Sequence, residues 1–186
     1  MSESSPPSGQ PPQPNSATQS AADIPADVLD QLRRSVPLLM DAMGGLTLGG
    51  EAVTHPRVLT ALRAGLDASE QGETTVSIGS HWCYITVTDC PLRVLAIIKG
   101  GNGGPELQLD DGRQLPLLTE SLWDEPARGL RCRVPSRVSG RELAVRFTNR
   151  AQMDLLPWLE IDDDGVGTLV VGEVRHPIPT EAAGPT

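Results

Sequence analysis

The chain of 186 residues contains little of several residue types that would indicate its function. It has three cysteines, three tryptophans, one tyrosine, one phenylalanine and a single lysine, Lys99, beside fourteen arginines. Five aromatic side chains are too few for the stacking platform that binds single-stranded nucleic acid. The odd number of cysteines, at spacings of 7 and 42 residues, matches neither a disulfide framework nor a paired metal knuckle. Reduced thiols with a structural role are therefore expected.

Long apolar runs are absent as well. The longest, such as residues 94–98, fall far short of the roughly 20 residues that a membrane helix needs. The first residues lack the charged start and apolar run of a signal peptide. A formal net charge of -9 gives a field that repels polyanions. These features predict a cytoplasmic protein that binds neither nucleic acid nor membrane.

The two ends of the chain are poor in large apolar side chains. Residues 1–22 contain six Ser, five Pro and three Gln, so burial cannot offset the entropy lost on ordering them. They are predicted to form a disordered tail, and residues 179–186 are predicted to fray. Between the tail and residue 46, apolar residues recur at helical spacing, which predicts a helical segment over 23–45 with a kink caused by Pro37.

The pattern of the remaining residues predicts a domain of two halves, 46–104 and 105–178, each with several strands and one helix. In the first half, Gly49-Gly50 joins a hairpin and a helix follows Pro56, before the apolar period changes to two. In the second half, Asp111-Gly112 joins another hairpin, and Thr148 or Asn149 caps a helix. This order predicts an α+β fold built on antiparallel sheets, with two related subdomains.

Several segments are similar to the bacterial domain family of unknown function DUF1285. They are residues 48–58 (LGGEAVTHPRV), residues 76–79 and 85–92 (VSIG and ITVTDCPL), residues 146–155 (RFTNRAQMDL) and residues 170–178 (VVGEVRHPI). The resemblance implies two α+β subdomains, of which the second loosely resembles a pleckstrin-homology barrel. It also implies a small-molecule or nucleotide-like site between them, and it brings no catalytic residues.

The most distinctive feature is a basic segment in an acidic protein. Seven of the fourteen arginines lie between Arg128 and Arg150, where Glu142 is the only acid. Arg131 and Arg133 share one face of a predicted strand, while Arg146 and Arg150 flank the start of a predicted helix. A cation at a helix start is unfavourable with the helix dipole unless an anion is present, and the arginine side chain suits phosphate or carboxylate.

These four arginines are the candidate ligand-binding residues, and Trp82 or Tyr84 is expected to line the same cleft. An alternative interpretation is that the arginines pair with nearby acids or face water, where an exposed pair contributes about 0–1 kcal/mol. No spacing of the three histidines and three cysteines indicates a metal site. No motif for a nucleophile or a phosphate-binding loop is present, so no catalytic residue, metal or cofactor is assigned.

Together these observations favour a non-enzymatic module that binds a small anionic ligand or a protein partner in signalling. One alternative is an enzyme that acts on a phosphorylated or carboxylated small molecule, with Asp89 or Asp154 as the base. Another is an assembly or scaffold protein. The oligomeric state is not predicted.

Overall fold

The computed structural model describes residues 25–101, 103–126, 128–162 and 165–180. The described helices are α1 (Ala26–Arg34), α2 (Pro56–Ala64) and α3 (Asn149–Leu155). Seven strands precede residue 90: β1 (Leu38–Met40), β2 (Leu46–Leu48), β3 (Glu51–Ala52), β4 (Leu66–Ala68), β5 (Thr74–Ile78), β6 (His81–Tyr84) and β7 (Thr86–Val87). The strands that follow are β8 (Leu92–Lys99), β9 (Pro105–Leu109), β10 (Gln114–Pro116), β11 (Trp123–Glu125), β12 (Gly129–Pro135), β13 (Glu142–Phe147), β14 (Leu159–Ile161), β15 (Gly167–Val171) and β16 (Val174–Pro177).

These strands form four sheets in the described residues. Their orders are β3-β2-β1-β7, β4-β5-β6, β10-β9-β8-β13-β12-β11 and β14-β15-β16. Two pairs, β1 with β7 and β8 with β13, are parallel, and the other pairs are antiparallel. The predicted α+β fold with mostly antiparallel sheets is confirmed.

The core is one cluster of buried side chains that runs from Leu38 to Ile178. Its most buried members include Phe147, Val94, Val145, Cys132 and Leu155. Leu92 and Val94 of β8 and Val145 and Phe147 of β13 contribute to it from neighbouring strands. In a strand successive side chains point to opposite faces, so the residues between these positions lie on the other face of the sheet. The candidate site is on that face.

The N-terminal helix is shorter than the predicted segment 23–45. It ends at Arg34, and residues 38–40 form β1 instead, paired with β2 and β7. Pro37 has no amide hydrogen and cannot continue the helix, while the burial of Leu38 and Met40 favours the strand. The second helix ends at Ala64, and the missing side chain of its C-cap Gly65 leaves room for the Ser77 carbonyl oxygen.

Two of the predicted domain boundaries, at residues 179 and 104, can be compared with the structure. Residues 1–22 and 181–186 lie outside the described residues. Asp124 of β11 donates its backbone N–H to the Pro179 carbonyl at 2.9 Å and forms a parallel bridge with Thr180, so the predicted frayed end starts too early. The division at residue 104 lies beside the turn between β8 and β9, which pair in one sheet. Two related subdomains and the pleckstrin-homology likeness stay predictions.

A buried carboxylate connects β4 to the loop between β12 and β13. Asp67 is 7% exposed, and its Oδ1 accepts hydrogen bonds from the hydroxyls of Ser136 at 2.6 Å and Ser139 at 2.5 Å. Burial tends to raise the pKa of Asp67, but these two hydrogen bonds, together with one from the Ala68 backbone and the charge of Arg141, outweigh it, and the pKa lies below its usual value. The ionised carboxylate therefore holds two distant parts of the chain together.

Asp67→Asn is expected to lower the free energy of unfolding by about 1–3 kcal/mol at neutral pH, because the charged hydrogen bonds are lost. A depressed pKa stabilises the fold above the unfolded value of about 4, and that contribution disappears as the pH falls through the folded value. Urea unfolding across this range should show the difference between variant and wild type shrinking in acid. Glu173→Gln, an exposed turn carboxylate, is the control; a difference for Asp67→Asn that does not change with pH would contradict this role.

Candidate functional site

Three arginines stand side by side on three neighbouring strands. The Cα atoms of Arg131 on β12 and Arg146 on β13 are register partners, and Arg146 is in turn the partner of Arg93 on β8. All three lie on the sheet face away from the core. Like charges placed directly opposite on adjacent strands repel each other, so this arginine row requires negative charge nearby.

Asp89, in the segment after β7, supplies that charge to two members of the arginine row. Its Oδ1 lies 2.5 Å from Arg131 Nη2, and its Oδ2 lies 3.2 Å from Arg146 Nη1. Arg131 also has its Nε 2.6 Å from Glu125 Oε2 and donates from Nη1 to the Cys90 thiol at 2.8 Å. With its side chain 6% exposed, Arg131 is held inside an ion-pair network.

Burial raises the pKa of the Cys90 thiol to about 11. Arg131 opposes that effect, because its positive charge and its hydrogen bond both favour the thiolate. Cys90 therefore remains a neutral thiol near pH 7. This agrees with the structural role predicted for the cysteines, which are free in the structure.

Asp110, at the end of β9, supplies negative charge to Arg93, as Asp89 does to Arg131 and Arg146. Its Oδ1 accepts from the Arg93 backbone N–H at 3.0 Å, and its Oδ2 lies 3.4 Å from Arg93 Nη1 and 3.7 Å from Arg63 Nε. Burial raises the pKa of Asp110. The hydrogen bond from the Arg93 backbone and the charges of Arg63 and Arg93 lower it, but burial prevails. Burial likewise lowers the pKa of Arg93. Each aspartate thus serves two arginines.

A tight turn packs against Arg93. Asp41 Oδ1 accepts from the backbone N–H groups of Met43 and Gly45, both at 2.8 Å, which fixes the turn between β1 and β2. Gly44 has a φ of +79°, and a Cβ placed on it would lie 1.4 Å from Arg93 Nη1. Only glycine permits this approach. The turn therefore covers the Arg93 guanidinium.

A cleft of about 480 Å³ opens between this turn, the sheet and the start of α3. Thr148 caps α3 by accepting from the Ala151 N–H at 3.2 Å, which positions the residues that follow it. The side chain of Arg150 is 78% exposed and lies 3.6 Å from Asp154. The residues that line the cleft, hereafter the arginine cleft, are Ala42, Met43, Arg93, Arg146, Thr148, Asn149 and Arg150.

The structure separates the four arginines singled out in the sequence. Arg146 and Arg150 line the arginine cleft, whereas Arg131 does not and is buried beside it. Arg133 shares the strand face of Arg131, but its guanidinium carbon lies 5.3 Å from the centre of the Trp123 ring, beside a smaller separate cleft of about 210 Å³. Two of the four candidates therefore meet in one place.

Trp82 and Tyr84 lie elsewhere, so the expectation that one of them lines the arginine cleft is corrected. Their rings make an edge-to-face contact on β6 with centroids 5.4 Å apart. Arg33 and Arg34 of α1 stack over them, with guanidinium carbons 4.0 Å and 3.9 Å from the ring centres, and Tyr84 donates to Asp30 at 3.0 Å. Both aromatics hold α1 on the sheet.

Sequence reasoning missed Arg93. It stands between Leu92 and Val94 at the start of a strand that is otherwise mainly apolar. A charged residue within such a run is the one feature of the sequence that could have identified it. Its side chain is 9% exposed. Its Nη2 atom is buried and has no hydrogen-bond partner in the described structure. A buried donor without a partner costs about 1–3 kcal/mol. Arg131 Nε is likewise buried without a hydrogen-bond partner, although it lies 2.6 Å from Glu125 Oε2.

The two candidate bases are both engaged by arginines. Asp89 is paired with Arg131 and Arg146, and Asp154 lies 3.6 Å from Arg150 and 3.4 Å from the Ile97 N–H. Among the residues that the structure describes, no group of three or more His, Cys, Asp or Glu side chains could hold a metal ion. The arrangement is suited to attracting an anion.

Comparisons with known proteins identify the fold. No protein family profile matches this chain, and no curated protein matches it. The structure is similar to the crystal structure of a DUF1285 family protein from Silicibacter pomeroyi DSS-3, with a TM-score of 0.60 and 16% identity over 78% of this chain and 80% of that one. A DUF1285 family protein from Shewanella baltica OS155 gives a TM-score of 0.51 and 12% identity over 66% and 92%.

The chain therefore has a DUF1285-like fold, as its sequence resemblance indicated. Both neighbours are described by their family alone, so the comparison carries no activity to this chain. None of the helices in the described ranges is long and apolar enough to cross a membrane.

Asp89→Ala is expected to lower the free energy of unfolding by about 3–5 kcal/mol, because it removes the carboxylate that the buried Arg131 shares with Arg146. Glu142→Ala is the matched control, since Glu142 is 69% exposed and lies 3.9 Å from Arg133; its loss should cost about 0–1 kcal/mol. Urea unfolding measures both. Equal small losses would show that the Asp89 ion pairs contribute no more to the fold than a surface pair.

Proposed function

We propose that this protein is a non-enzymatic module that binds a small ligand bearing a phosphate or carboxylate group in the arginine cleft. One observation carries the proposal: Arg93, Arg146 and Arg150, from three different elements, line the same cleft. Phosphate and carboxylate are the groups that guanidinium binds through paired hydrogen bonds. The ligand-binding residues are therefore these three arginines, with Thr148 and Asn149 beside them.

The charge balance of the cleft supports this assignment. Arg63, Arg93, Arg131 and Arg146 share three carboxylates in their direct ion pairs, those of Asp89, Asp110 and Glu125, and the charge of Asp41 acts on Arg93 without a direct pair. At the roughly 5 Å between neighbouring strands, two like charges repel by about 3 kcal/mol at an effective dielectric constant of about 20. A bound anion next to Arg93 and Arg146 would offset that repulsion.

The hydrogen-bonding capacity of the arginines also supports it. Arg146 uses Nη1 for Asp89 and for the Ala42 carbonyl at 3.4 Å, and a guanidinium has five N–H donors in all. Arg150 is mainly exposed, with one distant carboxylate neighbour. Arg93 Nη2 is also unpartnered, but it is buried under the Gly44 turn. Donors of Arg146 and Arg150 therefore remain for a ligand after the internal ion pairs are made.

Binding is favoured over catalysis by the state of the nearby acids. A general base needs a carboxylate oxygen that can reach a substrate proton, and both oxygens of Asp89 are occupied by arginines. Asp154 makes both of its contacts through Oδ2, with the Ile97 N–H at 3.4 Å and Arg150 at 3.6 Å, so it is less firmly held than Asp89. An enzyme that uses Asp89 would first have to release it.

Arg150→Gln is expected to weaken binding of inorganic phosphate or citrate by roughly tenfold, which corresponds to one charge-assisted hydrogen bond of about 1.4 kcal/mol. Isothermal titration calorimetry on the full chain at about 0.15 M salt measures this without strong long-range attraction. Because Arg150 is 78% exposed, its replacement leaves the fold intact.

Arg175→Gln is the matched control, since Arg175 is also exposed and paired with one carboxylate, Glu160 on β14. It changes the net charge equally but lies outside the cleft. It should leave the affinity unchanged. The proposal would be overturned if the wild type bound neither phosphate nor citrate, or if both variants weakened binding equally.

A further inference from the structure

We infer that the ligand of the arginine cleft is an organic phosphate monoester with an apolar or aromatic body, and that this body rests on Met43. The inference builds on the proposed function and names the class of ligand. It follows from the three elements that bring cations to the cleft, the size of the cleft and the apolar part of its lining.

The placement of the cations favours phosphate over carboxylate. Arg93, Arg146 and Arg150 come from β8, β13 and α3, so the three guanidinium groups belong to three separate elements around one space. A carboxylate offers two oxygens in one plane, whereas a phosphate monoester offers three terminal oxygens and close to two negative charges near pH 7. Three separate cations match the three terminal oxygens of a phosphate monoester.

The size of the cleft requires more than an inorganic anion. Its volume is about 480 Å³, which falls within the range of about 300–1,000 Å³ that is typical of small-molecule sites. A phosphate group of five heavy atoms would leave most of it empty, so the ligand should carry a body.

Part of the cleft lining is apolar. It includes Ala42 and Met43, and Met43 is 79% exposed. An isolated exposed apolar residue is common on protein surfaces, but this one belongs to a cleft that three arginines also line. Methionine is polarisable and adaptable, and its sulfur makes favourable contacts with aromatic rings. A lining that contains both cationic and apolar side chains matches a ligand that is anionic at one end and apolar at the other.

The turn that carries Met43 is fixed relative to the arginines. Asp41 accepts from the Met43 and Gly45 N–H groups, the Asp41 N–H donates to the Gly45 carbonyl at 3.0 Å, and the Gly44 N–H donates to the Asp41 carbonyl at 2.9 Å. Gly44 meets the Arg93 guanidinium. Because the backbone of Met43 is already ordered, less entropy is lost when a ligand contacts it.

The test compares inorganic phosphate with phenyl phosphate by calorimetry on the full chain. The wild type should bind phenyl phosphate roughly tenfold more tightly than phosphate, because apolar surface is buried in addition. Met43→Ser should remove most of that preference and leave the affinity for inorganic phosphate unchanged. Met153→Ser is the control, since Met153 is 65% exposed but lies outside the arginine cleft, and it should change neither affinity.

The outcomes separate this inference from the proposed function. Binding of phosphate without a preference for phenyl phosphate, or a preference that survives Met43→Ser, would overturn the inference and leave the anion site intact. Binding of neither anion would overturn both. Loss of phosphate binding in Met43→Ser would show that the turn positions Arg93, and it too would contradict a role limited to the ligand body.

Discussion

Repulsion among Arg131, Arg146 and Arg93 is the constraint on which the site depends. The three residues are in register on neighbouring strands, and a sheet of this kind is stable only with compensating charge. Asp89 and Asp110 supply it, each to two arginines. Breaking a pair of this kind is far more costly than losing a surface ion pair, because it leaves an uncompensated charge away from water.

The same compensation determines which arginines are left for a ligand. Arg131 sits deepest and is enclosed by Asp89, Glu125 and the Cys90 thiol. Arg93 and Arg146 share their carboxylates with a neighbour and line an open cleft, where Arg150 joins them from α3. The ion-pair network therefore performs two roles: it stabilises the sheet, and it positions two cations beside the cleft.

Much of the local structure could be predicted from the sequence, since it rests on short-range signals. The Thr148 cap, the glycine hairpins and the shared face of Arg131 and Arg133 follow from residue type and the period of two. The N-terminal helix was predicted too long because helical spacing continues past Pro37, where burial of Leu38 and Met40 in a sheet prevails.

The long-range part of the site could not be predicted in the same way. Arg93 meets Arg146 because β8 pairs in parallel with β13, and no signal in the sequence specifies which strands become neighbours. For the same reason Trp82 and Tyr84 could be recognised as an aromatic pair on one strand, but their stacking with Arg33 and Arg34 of α1 could not be foreseen. The DUF1285-like fold supplies the pairing that the sequence leaves open.

The central claim is that an oxyanion binds between Arg93, Arg146 and Arg150. The most direct measurement is a crystal structure of the full chain soaked with tungstate, a tetrahedral analogue of phosphate that anomalous scattering locates without ambiguity. The account predicts an anomalous peak within hydrogen-bond distance of these guanidinium groups. A tungstate ion bound only at other arginines, with the arginine cleft empty, would contradict it.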